Sequence, residues 1–269
     1  VQTCALPIFQ RKYLSIPYLL FLLFFVVVPI LLIVFYAFTN KGQAGISFNN
    51  FRKFFSDMTN VNVLLISLVF AIANTALCLI IGYPIAYILA NKKYNKNRVI
   101  VLLFIMPMWI NFVIRTGATR ELLTWMGIGG GTHPELATII GLVYNYLPFV
   151  ILPIYSTMLK MDKSQIEASY DLGANGFQTF SKVIIPMTMP GIISGVTMVF
   201  MPTISSYVIS DLLSEYNVVL FGSYIDLYFN QNDWNFGSFM ALIMLLLIGI
   251  SVFVTNKFSK EENARTSLW

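Results

Sequence analysis

Charge is what this 269-residue chain has least of: Asp, Glu, Lys and Arg make up 11% of it, against 57% hydrophobic residues. An ordinary soluble domain carries roughly 25% charged residues, so a water-soluble globular fold is excluded. Histidine occurs once, as His133, and cysteine twice, as Cys4 and Cys78. Cys78 sits inside an apolar run, where a small buried hydrophobe is the expected role, and no disulfide framework follows. His133 lies in a Gly-rich loop (Gly129, Gly130, Gly131) with no Cys or His beside it, which argues against a metal site. There is no Gly-rich phosphate loop of the Walker type, no nucleophile–base pair and no cluster of catalytic carboxylates. The chain is therefore expected to bind no cofactor and to be no enzyme by itself.

What is present is apolar sequence in long pieces. Six uncharged runs span about 13–39, 61–90, 99–114, 136–159, 190–210 and 236–256, and a helix needs ~20 residues to cross the hydrocarbon core. The expectation is an all-α polytopic membrane protein forming one transmembrane domain over residues 1–269. The third run is short and contains Pro107 and Asn111, so its ends are the least defined. Continuous runs, without the ~10-residue alternation of barrel strands, place the chain in an inner or plasma membrane. The first run is too long for a signal-peptide core and lacks a small-x-small cleavage site, so it is expected to stay as a helix.

Orientation follows from Lys and Arg. With the N-terminus inside, Arg11, Lys12, Lys92, Lys93, Lys96, Arg98, Lys160, Lys163, Lys182, Lys257, Lys260 and Arg265 are cytoplasmic. Only Lys41, Arg52, Lys53, Arg115 and Arg120 fall in the external loops, so both termini are expected inside. The net charge of +5 is thus topological and implies no nucleic-acid partner. The external region from Asp211 to Asp233 has the opposite sign: Asp211, Glu215, Asp226 and Asp233, with no Lys or Arg. No Asp, Glu, Lys, Arg or His falls inside any of the six runs, which disfavours an ion-coupled carrier or a channel with a regulatory loop.

The insert between the fourth and fifth runs, residues 160–189, is polar and helix-capable. Ser164 followed by Glu167 three residues later predicts a capping box at a helix start. Ile166, Tyr170, Gly173 and Phe177 then form one helical stripe suited to a groove on a partner. Gly173 either ends the helix in a left-handed cap or admits a partner backbone. Pro186 and Pro190 bring the chain back to the membrane.

These residues resemble the EAA loop of ABC importer permeases: Glu-Ala-Ala, three residues, Gly, nine residues, Ile-x-Leu-Pro. Here the pattern stands as Glu167-Ala168-Ser169, Tyr170 to Leu172, Gly173, Ala174 to Lys182, then Val183-Ile184-Ile185-Pro186. Ser169, Val183 and Ile185 are the departures. The resemblance implies a type I ABC importer permease of six transmembrane helices whose coupling helix docks into a dimer of ATP-binding subunits, which carry ATP and Mg. It also implies a second permease chain and an extracytoplasmic substrate-binding protein. The stretches Ser15–Phe38 and Gly173–Leu213, Asn232–Gly237 and Ile114-Arg115-Thr116 further resemble the spermidine/putrescine permeases, although Gly117-Ala118-Thr119 stands where aromatics are expected.

A polyamine needs carboxylates for its ammonium groups and aromatic faces for its chain. Asp211, at the outer end of the fifth run, is the leading pathway candidate, with Glu215 nearby. Trp109 and Asn111, and Tyr144 and Asn145, either face a pathway or hydrogen-bond between helices, because lipid offers their polar groups no partner. The alternatives are the same machine carrying thiamine, ferric iron or a phosphonate.

Overall fold

A computed structural model describes residues 16–40, 45–91 and 99–266. Cys4, Tyr13 and the basic residues Arg11, Lys12, Lys41, Lys92, Lys93, Lys96 and Arg98 lie outside the described residues. The described chain is helical, with no strand. In order the helices are α1 (Ile16–Ala37), α2 (Asn49–Ser56), α3 (Met58–Ala90), α4 (Val99–Ile105), α5 (Phe112–Trp125) and α6 (Pro134–Leu159). They continue as α7 (Lys163–Asp171), α8 (Gly176–Ile204), α9 (Val208–Ser214), α10 (Phe221–Asn230) and α11 (Trp234–Thr266). Five of them, α1, α3, α6, α8 and α11, are long and apolar enough to cross a membrane, and the bent pair Ile100–Trp109 with Phe112–Trp125 brings the number to six.

The residues fall into two compact units, one comprising the chain up to Met58 with Ile225–Leu245, the other Thr59–Tyr224 with the chain from Leu246. In the first unit, Lys53 of α2 pairs with Asp233 at 3.0 Å, and its ammonium stands 4.1 Å from the centre of the Phe236 ring. Asp233 is thus neutralised by the chain's own lysine, and Asp226 accepts from Asn230 at 2.8 Å.

In the second unit, α3 buries Val63, Ser67, Ala71, Asn74, Cys78, Gly82, Ala86 and Leu89, which recur every three or four residues along one stripe. Its other faces leave Leu65, Val69, Ile72 and Ile80 exposed, as lipid contact requires. Cys78 is fully buried in the cluster that joins α3, α4, α6 and α8 through Tyr83, Val101, Val150, Ile154 and Val199. Helices α6 and α8 approach closely because Gly191 and Gly195, four apart, lie against Pro153, Thr157 and Val150. Small residues at that spacing let two backbones meet where there is no hydrophobic driving force. Polar pairs add to it: Asn74 donates to Thr203 Oγ1 at 2.7 Å, and the Tyr83 and Thr188 hydroxyls lie 2.9 Å apart.

Prolines explain the departures from the expected boundaries. The helix that carries the fifth apolar run begins at Gly176, well before residue 190, because the chain passes Pro186 as helix. Pro186 has no N–H for the Lys182 carbonyl, and the backbone widens into a π-helical turn over Phe180–Ile184 rather than breaking. The insert 160–189 thus contains both the helix α7 and the first turns of α8. Pro107 acts differently. It sits in a 3₁₀ turn, Met106–Trp109, after which Ile110 is extended and Asn111 caps α5, so the third span bends by 103°. Arg115 and Arg120, expected in an external loop, are on helix α5.

Candidate coupling loop and transmembrane cavity

The insert after α6 folds as a short helix, a tight turn and the start of α8. The N-cap lies two positions earlier than in the expected capping box. Asp162 is the N-cap, its carboxylate accepting from the Ser164 backbone N–H at 3.0 Å, and the Ser164–Glu167 box does not form. An aspartate just before Lys163 competes successfully because its ionised oxygen is the stronger acceptor. Hydrogen bonds from Ser164 hold the Asp162 carboxyl below its ordinary pKa. A reciprocal capping box does occur, further on: Asn175 Oδ1 accepts from Gln178 N at 2.8 Å and Gln178 Oε1 from Asn175 N at 3.0 Å.

Between the two helix starts, Gly173 takes a left-handed conformation, φ +82°. Ala174 N bonds Ser169 O and Gly173 N bonds Tyr170 O, the paired closure of a Schellman turn. No atom lies within 4 Å of where a Gly173 side chain would begin, so within this chain the residue serves backbone conformation. The single stripe expected through Phe177 is thereby corrected, since the turn ends α7 at Asp171 and puts Phe177 on α8. Ile166, Glu167 and Tyr170 line an open groove of about 300 Å³ with Tyr87, Met158 and Met161. Ser164 and Ala168 are exposed. Leu172 and Phe177 project furthest, 89% and 78% exposed. Leu172 escaped the sequence reading because it lies off the helical spacing, at the cap.

Ser169, the departure from Ala in the motif, is buried. Its hydroxyl donates to Ile166 O and lies 3.0 Å from the buried Thr179 hydroxyl. This one side-chain bond ties α7 to the first turn of α8.

The second site is the bend of the third span. Met108, Trp109, Asn111, Phe112, Arg115, Asn145, Tyr146, Phe149 and Ile209 line a cavity of about 380 Å³. Three of the expected pathway residues, Trp109, Asn111 and Asn145, thus meet there. Trp109 is 81% exposed, and Asn111 uses its Oδ1 to cap α5 on Val113 N at 2.9 Å. Tyr144 lies beneath the Arg115 guanidinium, 5.5 Å from ring centre to Cζ. Asp211 and Glu215 do not line the cavity. Asp211 accepts from Ser223 Oγ at 2.7 Å, and Glu215 pairs with Arg120 at 3.2 Å.

Arg115 is the residue the sequence reading misplaced. It is 8% exposed. Its Nη1 donates to Pro107 O at 2.7 Å, a carbonyl that also accepts from Ile110 N at 3.3 Å in the 3₁₀ turn, while Nε and Nη2 converge on Asn145 Oδ1 at 3.0 and 2.6 Å. Asn145 in turn donates to Gly141 O at 2.8 Å and, at 3.4 Å, to Thr116 Oγ1. The signal that could have found it was Pro107 itself, because a proline inside an apolar run interrupts the helical hydrogen bonding and calls for donors from elsewhere.

Comparison with known proteins gives this arrangement its context. Residues 82–260 match the family described as binding-protein-dependent transport system inner membrane component. The chain is 34% identical to the spermidine/putrescine transport system permease protein PotB of Escherichia coli (strain K12), over 92% of this chain and 97% of that one. Identity to the protein of the same name from Haemophilus influenzae is also 34%, over 92% and 93%. Its fold matches a chain of a bacterial ABC transporter involved in import of the acidic polysaccharide alginate, with a TM-score of 0.68 at 17% identity, covering 94% of this chain and 96% of that one. The α6–α8 pair, the intervening loop and the bent third span all lie within the matched region, and this chain belongs to the binding-protein-dependent transport system inner membrane components, the permeases of ABC importers.

Proposed function

We propose that this chain is the permease subunit through which an ABC importer takes up polyamines of the spermidine and putrescine type. The observation that carries the reading is the 34% identity to the E. coli spermidine/putrescine permease, sustained over 92% of the chain. Both termini are cytoplasmic in this reading. Energy comes from a dimer of ATP-binding subunits that carries ATP and Mg, while a second permease chain completes the pathway and an extracytoplasmic binding protein delivers the solute.

The loop after α6 is the coupling helix. Leu172 and Phe177, exposed on either side of the Gly173 turn, enter a cleft on the ATP-binding subunit. Closure of the ATPase dimer then moves α7 as a rigid body, and the Ser169–Thr179 bond carries that displacement into α8. Glu167 and Ala168 remain at the surface, in reach of the partner. The solute passes Trp109 and Tyr144, whose ring faces attract ammonium groups and cover methylene chains, and it meets the amides of Asn111 and Asn145. Asp211 and Glu215 belong to the outer approach.

One observation favours a different solute: the only charged group lining the cavity is Arg115, which suits an anionic or carbonyl-bearing molecule. ATP-dependent uptake of labelled spermidine, putrescine and an organic phosphonate by polyamine-uptake-deficient cells decides between them. Uptake that requires this chain and is competed by unlabelled polyamine supports the proposal. Uptake of the phosphonate alone, or of none in cells that assemble the complex, overturns it.

A further inference from the structure

Arg115 holds a full positive charge, nearly buried, and none of the ion pairs among the described residues includes it; those pairs are Lys53–Asp233 and Arg120–Glu215. Its hydrogen bonds run to an amide oxygen and a backbone carbonyl, which orient the guanidinium and leave its charge uncancelled. Three of its five N–H groups are used, so one on Nη1 and one on Nη2 remain, at the wall of the cavity. An unneutralised charge at membrane depth is costly, and such groups normally pair with a partner of opposite sign. This chain's nearby acid Glu215 is engaged by Arg120, and Asp211 accepts from Ser223.

We propose that the two remaining donors of Arg115 take a carboxylate from the second permease chain, and that this interchain ion pair is the closed gate of the pathway. The inference rests on the polyamine reading in one respect. An arriving ammonium group competes with Arg115 for the same carboxylate, so the cationic solute itself breaks the pair. The geometry suits such an exchange: Tyr144 lies under the guanidinium and Trp109 stands on the cavity wall, so an aromatic face is at hand for the incoming cation. The charge of the cavity and the charge of the solute then cease to conflict, because this chain supplies the displaced cation and its partner supplies the anion.

The test uses the complete importer reconstituted in vesicles, with ATP hydrolysis measured first without solute. In R115Q the gate lacks its cation, and solute-free hydrolysis is expected to rise at least threefold, with a smaller rise in R115K, which keeps the charge and loses the fork. N145D neutralises Arg115 from within the chain and is expected to raise it as R115Q does. In R115E cells, suppressors that restore uptake are expected to convert an acidic residue of the second permease chain to Lys or Arg. Equal hydrolysis in wild type, R115Q and N145D overturns the proposal, as do suppressors confined to this chain. Failure of both R115Q and R115K to assemble also overturns it, by assigning Arg115 to folding alone. The solute-free measurement does not depend on the substrate. A rise in R115Q beside an absence of polyamine uptake by the wild type therefore sinks the polyamine reading and leaves the ion pair standing.

Discussion

The coupling loop and the bend of the third span are both places where a helix is interrupted, yet they solve the interruption in opposite ways. At the loop every broken backbone bond is repaired locally. Asp162 caps the helix at Ser164 N, Asn175 and Gln178 cap each other, and Gly173 closes the turn, all between residues at most five apart along the chain. At the bend local bonds from Ile110 and Asn111 are joined by a long-range one: Arg115 spans the break to Pro107 and reaches Asn145 thirty residues on. Water solvates whatever the loop leaves open, so local caps suffice there. In the membrane no such solvent exists, and the chain commits a buried charge to the task. The loop is thus held by its own neighbouring residues and the bend by a buried charge.

Several substitutions sharpen or break that contrast. The largest effect belongs to the bend. Asn145→Leu removes the acceptor of two Arg115 bonds, and hydrogen bonds to charged groups are worth about 1.5–3 kcal/mol. A loss of about 3 kcal/mol, seen as lower resistance to denaturant or protease in the purified complex, is expected. A stable Asn145→Leu protein would mean that the bend is held by packing alone. Next is the turn. Gly173→Val forces a β-branched residue into φ +82°, at about 2 kcal/mol, whereas Gly173→Asn is tolerated because Asn accepts that conformation. Proteolytic nicking of the loop, faster in the Val variant only, is the readout. If both variants are nicked alike, side-chain size rather than backbone conformation governs this position.

Ser169→Ala tests the proposed coupling. Loss of the Thr179 contact costs about 1 kcal/mol, and the expected result is more ATP hydrolysed per solute transported with assembly unchanged. An unaltered ratio would detach that bond from coupling. The smallest effect concerns pH. Because Asp162 titrates lower in the folded loop than in the unfolded chain, its cap contributes fully above the ordinary carboxylate pKa. That contribution disappears as pH falls through the lowered value. Loop protection against protease should therefore decline in acid, and Asp162→Asn, which keeps an acceptor without a titrating group, should remove this dependence.

The same contrast explains what could be read in advance. Five spans and the loop's motif were legible because hydrophobic run length and the spacing of Glu167, Gly173 and Pro186 are properties of neighbouring residues. The exact cap was missed because Ser164 with Glu167 and Asp162 with Ser164 are both sound local signals, and only the folded backbone chooses between them. Expected pathway residues Trp109, Asn111 and Asn145 do share a cavity, while Asp211 and Glu215 lie apart from it, engaged by Ser223 and Arg120.

By itself the sequence determined that the chain is a helical membrane protein with a polar, helix-capable loop between its fourth and fifth apolar runs. Lipid solvates no backbone, so uncharged runs of this length have no other solution. Tertiary structure decided the rest: that Pro186 widens a helix while Pro107 bends one, that Ser169 finds Thr179, and that Arg115 turns inward to Asn145. Each depends on which side chain arrives from elsewhere to satisfy a freed polar group, and no local pattern encodes that arrival.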